Sequence, residues 1–536
     1  LPLSKGADLA VAFGGMPPSF PPQIVRELLH CGALLLLNFI LSAESVAADA
    51  QRPNILFIYS DDQSFKTLGC YPESFPGVKT PNIDALARSG VRFHGAYLGS
   101  WCMPSRATML TGRLPHGVES MTMAGAYPGS TYDPKQTPFF PAEMRRQGYQ
   151  TAHIGKWHTG TDSGWGRDWD HQIVWNRPKH PGNAGAYYTK QILAFDGEER
   201  EQEGYPADNY TQWACEYIKG RQRDPQKPWY LWLCYGSVHG PNTPAARHAG
   251  KYADLKIPMP ADMFPPREGK PVYLEQTQAW VRGGDGGVYA GKNGAEQVGD
   301  DKTAPGQSRY GTPFLEWARR VNECVLALDE GVGRLMEALR ESGQLENTFV
   351  VYTADQGFAM GEHGFRAKLA PYDANYRSPL IVSMPSRIAS DKFCAASVNG
   401  ADLAATFLKV AEVTVPWTLH GRDLLPLLQK PEADPKLPCV YEHMGQRYGK
   451  DVLAHFRGEA DRGGDKNFPP YVAVVQEGFK LVHYLLKEHG EELYDLRNDR
   501  DELQNLIGKS EYAGRLRNLR EVLKAELKRT EAPFEL

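Results

Sequence analysis

At 536 residues the chain exceeds what one hydrophobic core usually serves, so two or more domains are expected. Hydrophobic residues make up 41% and charged residues 23%, which excludes wholesale disorder, a collagen-like chain and a small disulfide-stapled scaffold. With 60 basic against 64 acidic residues the formal charge is −4, so there is no electrostatic footprint for nucleic acid, and any anionic substrate must be met by local groups.

The first element in chain order is the apolar run Cys31 to Leu41, preceded by Arg26 and followed by Val46, Ala47, Ala48 and Ala50. It is too short to span a bilayer as a helix and reads as a signal-peptide core. Residues 1–50 are therefore expected to form a leader cut near Ala48 or Ala50, leaving a secreted or periplasmic protein. The chain does not open on Met, and Met16 is an alternative start. No second long apolar run follows, so no membrane span is expected. Beyond the leader stand Cys70, Cys102, Cys215, Cys234, Cys324, Cys394 and Cys439, an odd number that predicts one thiol left over from pairing. None forms a CxxC pair, which counts against zinc-ribbon and thioredoxin readings.

From Pro53 onward short β-rich runs alternate with helical stretches, the pattern of an α/β fold. Strands are predicted at Asn54 to Tyr59, Tyr149 to Ile154, Trp229 to Tyr235, Thr348 to Thr353 and Pro379 to Ser383, apolar enough to be buried on both faces of a large, mostly parallel sheet flanked by helices. A helix is predicted at Thr80 to Ser89, with Pro81 in its first turn and Gly90 beyond its end. A longer one spans Phe314 to Glu341, where Leu326, Val332, Leu335 and Leu339 repeat with helical period. The stretch from Ile257 to Tyr310, rich in Pro, Gly and Asp, reads on composition as a loose insertion, and alternatively as a substrate-facing rim. After Leu425 the runs Tyr471 to Val475, Phe479 to Leu486 and Glu491 to Leu496, with an amphipathic helix near Tyr512 to Leu527, predict a smaller α+β domain with a short antiparallel sheet. The expected division is 51–425 and 426–536.

Polar residues cluster just past several predicted strands. Asp61 and Asp62 follow Tyr59, Lys156 and His158 follow Ile154, His239 follows Tyr235, and Asp355 and Gln356 follow Thr353. Ligand crevices of open parallel sheets lie outside the carboxyl ends of the strands, so these segments can converge. Singly, each has a plain structural reading as a helix cap, a satisfied histidine or a solvated lysine. Asp61, Asp62, Asp355 and Gln356 together offer a hard all-oxygen set suited to Ca²⁺, with Mg²⁺ the lesser alternative. Zinc would call for nitrogen or sulfur. In Trp101-Cys-Met-Pro-Ser-Arg106, Pro104 can open a helix and leave Cys102 at its N-terminal end, where the dipole favours anions. A low-pKa cysteine nucleophile and a buried structural cysteine are both compatible with that placement.

With Leu110-Thr-Gly-Arg113 following, the segment Cys102-x-Pro-Ser-Arg106 resembles the signature of the sulfatases, formylglycine-dependent members of the alkaline-phosphatase-like superfamily. The resemblance extends over nearly all of the mature chain: Arg52-Pro-Asn-Ile-Leu, Thr80-Pro-Asn-Ile-Asp, Gly155-Lys-Trp-His158, Val238-His-Gly-Pro, Thr353-Ala-Asp-Gln-Gly357, Gly361-Glu-His-Gly364 and the tail Glu492-Leu-Tyr-Asp-Leu. It implies that a separate formylglycine-generating maturation enzyme oxidises Cys102 to 3-oxoalanine (formylglycine). It implies further that Asp61, Asp62, Asp355, Gln356 and the modified Cys102 hold Ca²⁺, and that Arg106, Lys156, His158, His239 and Lys368 surround the sulfate. The resemblance implies a mechanism as well: one hydroxyl of the hydrated aldehyde attacks sulfur, His239 protonates the leaving oxygen, and His158 helps deprotonate the second hydroxyl, which expels sulfate. Two departures stand out: Gln356 replaces the Asn or His frequent in relatives, and the acidic residues expected after Tyr372 are replaced.

The sequence reading is thus an exported sulfuric-ester hydrolase acting on a sulfated carbohydrate. The aromatics of Trp165 to Tyr188 are offered as stacking surfaces for sugar faces. Phosphonate or phosphate ester hydrolysis by the same scaffold is the alternative, as is a non-catalytic glycan-binding protein if Cys102 stays a thiol. Nothing in the sequence specifies an oligomeric state.

Overall fold

The computed structural model describes residues 52–119, 121–124, 129–291, 311–433, 436–456 and 468–536. The expected leader and the segment 292–310 of the Pro/Gly-rich stretch lie outside them. A central sheet is formed by β1 (Asn54–Ser60), β2 (Val91–Tyr97), β3 (Gln150–Trp157), β4 (His171–Asn176), β5 (Gln191–Phe195), β6 (Glu198–Gln202), β7 (Trp229–Cys234), β8 (Thr348–Ala354), β9 (Arg377–Ser378), β10 (Leu380–Ser383) and β11 (Lys392–Asn399). Their order across the sheet is β9, β2, β10, β8, β1, β7, β3, β4, β5, β6, with β11 also paired to β2. The centre, β8 through β4, is parallel. Both flanks carry antiparallel pairs, so the predicted strand at Pro379 to Ser383 joins in the opposite sense.

Every residue of β1, β7 and β8 is buried, as their continuous apolar runs require. Side chains alternate between two cores. Leu56, Ile58, Leu231, Leu233, Val350 and Tyr352 enter one; Ile55, Phe57, Tyr230, Trp232, Phe349 and Val351 enter the other. The first is closed by α1 (Pro81–Arg88), α3 (Pro206–Ile218) and α4 (Phe314–Glu341), the second by α2 (Cys102–Thr111) and α5 (Gly400–Val410). The result is three layers, helices on both faces of one sheet.

A second sheet of β12 (Cys439–His443), β13 (Tyr471–Gln476), β14 (Phe479–Tyr484) and β15 (Glu491–Asp495) is wholly antiparallel. One face packs Tyr441, Tyr471 and Tyr484 against Tyr97, Tyr372 and Tyr376. The other takes Leu519, Leu523 and Leu527 of α6 (Ala513–Arg529). Between this sheet and the central one lies a buried ion cluster in which Lys480 Nζ donates to Asp373 Oδ1 at 2.5 Å and Glu502 Oε1 at 2.8 Å. Nearby, both ring nitrogens of buried His116 face acceptors, Glu442 Oε2 at 2.8 Å and the Thr530 carbonyl at 3.0 Å. That geometry favours imidazolium.

Two sequence expectations are corrected. The described part of the Pro/Gly-rich stretch, 257–291, is not loose: Trp280 is buried and its Nε1 donates to the Phe365 carbonyl, while Asp262 accepts from the His363 backbone at 2.9 Å. Specific polar contacts replace the periodicity that composition lacked. The seven described cysteines form no disulfide with one another, because Cys102, Cys215, Cys234, Cys324, Cys394 and Cys439 stand on six different elements. Among the described residues, no helix is long and apolar enough to cross a membrane.

Candidate active site

Register builds the site. Ser60 pairs with Ala354 at the carboxyl ends of β1 and β8, so the next residues, Asp61 and Asp355, emerge side by side. The Asp355 N–H donates to the Ser60 carbonyl at 3.0 Å and the Asp61 N–H to the Ser237 carbonyl at 2.9 Å, tying three strand ends together. Asp62 has φ 56°, a left-handed conformation that aspartate tolerates, and its N–H donates to Asp355 Oδ1 at 3.1 Å. β3 runs to Trp157, three residues past its predicted end, so Lys156 is a strand residue and His158 the one that follows. Gly155 before it has φ 111°, and a Cβ there would meet the Cys234 carbonyl oxygen at 2.0 Å, so only glycine lets β3 lie this close to β7.

Cys102 is the first residue of α2, which has no side-chain cap; the first helical bond recorded at this end is Ser105 N–H to the Trp101 carbonyl. Pro104 sits in the first turn, where its missing N–H costs nothing. Helix and sheet are pinned by Ser105, whose Oγ donates to the Asp355 carbonyl at 2.5 Å and lies 2.6 Å from the Tyr59 hydroxyl.

One oxygen each from Asp61, Asp62 and Asp355 and the Cys102 sulfur all lie within 4.8 Å of one another. Cations ring the cluster. Lys156 contacts Asp61 Oδ2, and Arg106 donates to Asp355 Oδ2 at 3.1 Å and to the Lys156 carbonyl at 3.1 Å. Lys368 Nζ lies 2.7 Å from Asp62 Oδ1 and 3.3 Å from Cys102 Sγ, and His239 Nε2 is 3.5 Å from Asp62 Oδ2. Gln356 contacts Asp62 through its amide nitrogen, and its Oε1 is buried without a protein partner. Nine of the ten expected residues thus stand in one cluster, including Gln356, where the sequence departs from the usual pattern; the tenth, His158, follows Lys156 and Trp157 at the end of β3.

Burial would raise the Asp61 pKa, but Lys156, His239, Arg106 and Lys368 outweigh it and hold the carboxyl well below the usual range. Asp355 goes the other way, pushed up to about 7 by burial and by the charge of Asp61. The Cys102 thiol is raised to about 12, by burial first and then by Asp355 and Asp61, which opposes the thiolate form. His239 is lowered to about 3, chiefly by burial.

A divalent cation fits the donor set. Oxygen ligands at about 2.3–2.6 Å from Ca²⁺ lie at most about 5 Å from one another, which the cluster satisfies. Crowding of Asp61 and Asp355 is relieved by positive charge between them. Exchanging the O and N of the Gln356 amide turns its orphaned oxygen toward the carboxylates, an orientation stable only with a cation to share.

Sequence reasoning did not single out Arg177 and Tyr187. Arg177 directly follows β4, its Nη1 3.4 Å from His158 Nδ1, and Tyr187 stacks face to face on His239 with ring centroids 4.1 Å apart. The aromatic loop Trp165 to Tyr188 was the one available signal, and it pointed to the loop, not to these residues.

An α/β sheet that gathers acidic donors and a ring of cations at the carboxyl ends of its central strands defines a hydrolase site for an anionic ester. The sulfatase family model matches residues 53–413, and the chain belongs to that family, the hydrolases of sulfuric esters. A model described as N-sulphoglucosamine sulphohydrolase, C-terminal, matches residues 361–531. The chain is 29% identical over 531 residues to an N-acetylglucosamine-6-O-sulfatase of Bacteroides thetaiotaomicron, covering 91% of this chain and 89% of that one. It is similar, with TM-score 0.74 and 26% identity over 90% of this chain and 99% of the other, to a solved protein in complex with its substrate D-glucosamine-2-N,6-O-disulfate. A phosphonate monoester hydrolase of Agrobacterium radiobacter shares the fold, with TM-score 0.61 and 19% identity over 89% of this chain and 96% of that one.

Proposed function

We propose that this sulfatase releases inorganic sulfate from a sulfated carbohydrate, using an aldehyde made from Cys102 and a calcium ion held by Asp61, Asp62, Asp355 and Gln356. The observation that carries the reading is the meeting of Cys102, at the first residue of α2, with three carboxylates inside a ring of Lys156, Lys368 and Arg106. The carbohydrate assignment draws on the substrates named for the two relatives. It draws also on a hollow of about 220 Å³ lined by half-exposed Trp165 with Gln172, Asn176 and His180, a wall of the kind sugars stack on.

The hydrate that the aldehyde forms with water would supply an oxygen nucleophile, and a bound cation would make that hydroxyl more acidic than in water. The remaining work falls to the chain's own residues. Lys156 and Lys368 present ammonium groups to the sulfuryl oxygens, and Arg106 holds Asp355 in place through its bond to Oδ2 and opposes the upward push of burial on that carboxyl. His239 Nδ1 lies 3.0 Å from the Gly240 carbonyl, to which it donates, leaving Nε2 as the position facing Asp62 and the ester. The free ring is neutral because burial disfavours its charge. A bound anionic ester offsets that cost, and the ring then carries the proton that Nε2 delivers to the leaving oxygen.

The same reading takes residues 1–50 as an export leader, places the mature protein in the periplasm or outside the cell, and treats 426–536 as a C-terminal α+β subdomain. The test is mass spectrometry of the peptide containing Cys102, purified from a host with the maturation enzyme, together with sulfate release from sulfated glucosamine. Aldehyde with sulfate release is expected. An unmodified thiol beside a converted control sulfatase would overturn the mechanism and leave glycan binding. Aldehyde without sulfate release would move the substrate to phosphorus esters.

A further inference from the structure

We propose that Arg177 fixes the proton of His158 on Nε2, making this histidine a hydrogen-bond donor to the bound ester and its products in place of the base that the family resemblance implied. The tautomer is argued from the fold alone; only what the donor meets rests on the sulfatase reading.

Register again sets the pair. Trp157 of β3 pairs with Asn176 of β4, so His158 and Arg177, the next residue of each strand, come out adjacent. Both are buried. The guanidinium is held on several sides. Its Nε donates to the Ala184 carbonyl at 2.8 Å, and the group lies over the rings of Tyr187 at 4.9 Å and Trp175 at 5.5 Å. So clamped, it aims Nη1 at His158 Nδ1, 3.4 Å away.

Arginine has five N–H donors, no acceptor, and does not lose its proton in proteins. His158 Nδ1 must therefore be the acceptor. A neutral imidazole has one hydrogen, and with Nδ1 accepting, that hydrogen is on Nε2. Nε2 is buried and has no protein partner. Burial first, then Arg177, Lys156 and Arg106, push the imidazole well below its ordinary range, so the ring is neutral. An Nε2–H of this kind can give a hydrogen bond to a sulfuryl or alkoxide oxygen. It cannot accept a proton there, because its in-plane orbital already carries hydrogen and its remaining electron pair belongs to the ring's π system. A carboxylate at position 177 would produce the opposite tautomer.

The experiment uses the full chain with Cys102 left as a thiol, so neither conversion nor substrate enters. Isotope-labelled histidine is incorporated, and the ring nitrogens of His158 are identified by nitrogen–proton correlation as the signals lost in His158→Gln. The expected result is a protonated Nε2 and an unprotonated, hydrogen-bonded Nδ1. Arg177→Lys, also a donor only, keeps that pattern. Arg177→Gln offers an amide oxygen to an Nδ1–H and admits the other tautomer. In converted enzyme Arg177→Gln lowers kcat roughly tenfold or more, with a smaller change in KM, and Arg177→Lys restores most of it. A protonated Nδ1 in the wild type overturns the proposal, as does an unchanged Nε2–H in Arg177→Gln. If Arg177→Gln fails to fold, the wild-type and Arg177→Lys spectra still decide. A failed tautomer with intact sulfate release removes this inference alone; the expected tautomer without sulfate release removes the sulfatase chemistry alone.

Discussion

Removing Lys480 tests how the second sheet is attached. Its ammonium is fully buried, 2.5 Å from Asp373 Oδ1, 2.8 Å from Glu502 Oε1 and 3.3 Å from the Pro371 carbonyl. Lys480→Met keeps most of the side-chain volume and leaves two carboxylates together without a cation. Breaking a buried pair in this way costs about 3–5 kcal/mol. Burial and then Asp373 raise the Glu502 pKa to about 7 even with Lys480 present, so the uncompensated charge is severe. The triple variant Lys480→Met, Asp373→Asn, Glu502→Gln has no charge left to strand. Its amide oxygens can still accept from Tyr97 Oη and the Asp373 backbone N–H, so it should return to within about 1–2 kcal/mol of wild type. Urea unfolding followed by tryptophan fluorescence measures both. The sign with pH follows from linkage. Carboxyls whose folded pKa exceeds the unfolded value bind protons more tightly when folded, so the single variant regains stability as pH falls through that window toward about 5. A deficit under about 1 kcal/mol, one independent of pH, or a triple variant no better than the single one would refute the reasoning.

Asp61→Asn should lower Ca²⁺ affinity by at least about tenfold in titration calorimetry, since it removes a charged ligand from a four-group set; unchanged affinity would place the ion elsewhere. Glu442 and the Thr530 carbonyl outweigh burial and raise the His116 pKa above the ordinary imidazole value. The stability it contributes is full below the unfolded pKa and lost as pH rises through the folded one. Denaturation should therefore show His116→Gln costing more at about pH 5.5 than at about pH 8.5. Gly155→Ala puts a methyl into the Cys234 carbonyl and a non-glycine residue at φ 111°, which should cost more than about 1 kcal/mol and depress sulfate release by shifting Lys156; a wild-type melting temperature would show that the backbone can yield.

What the sequence made legible followed from the parallel centre of the sheet. Asp61, His239 and Asp355 could be located because each stands just past a buried apolar run, and matched strand ends bring such residues together. Lys368 came only from the family resemblance, and Cys102 from its place at a helix start together with that resemblance. Other features carried no such signal. β6 reads Glu-Glu-Arg-Glu-Gln, an edge strand held by pairing with β5 without an apolar face, so no periodicity marked it. Asp262 and Trp280 lie in a segment whose composition resembles a loose linker, yet each makes a specific contact with the 361–365 turn. Arg177 acts through His158, and a residue that works through another leaves no motif of its own.

Strand order also sets a timetable. β1 sits between β7 and β8, so the floor under Cys102 is complete only when Thr348 to Ala354 has been made. In the finished protein the thiol is 2% exposed, with Asp355 and Arg106 behind it. Cys102 leaves the ribosome about 250 residues ahead of Asp355, an interval of roughly 10–50 s at synthesis rates of about 5–20 residues per second. During that interval the Cys-x-Pro-Ser-Arg segment is a linear peptide that another protein can grip, and the last central strand to arrive ends the opportunity.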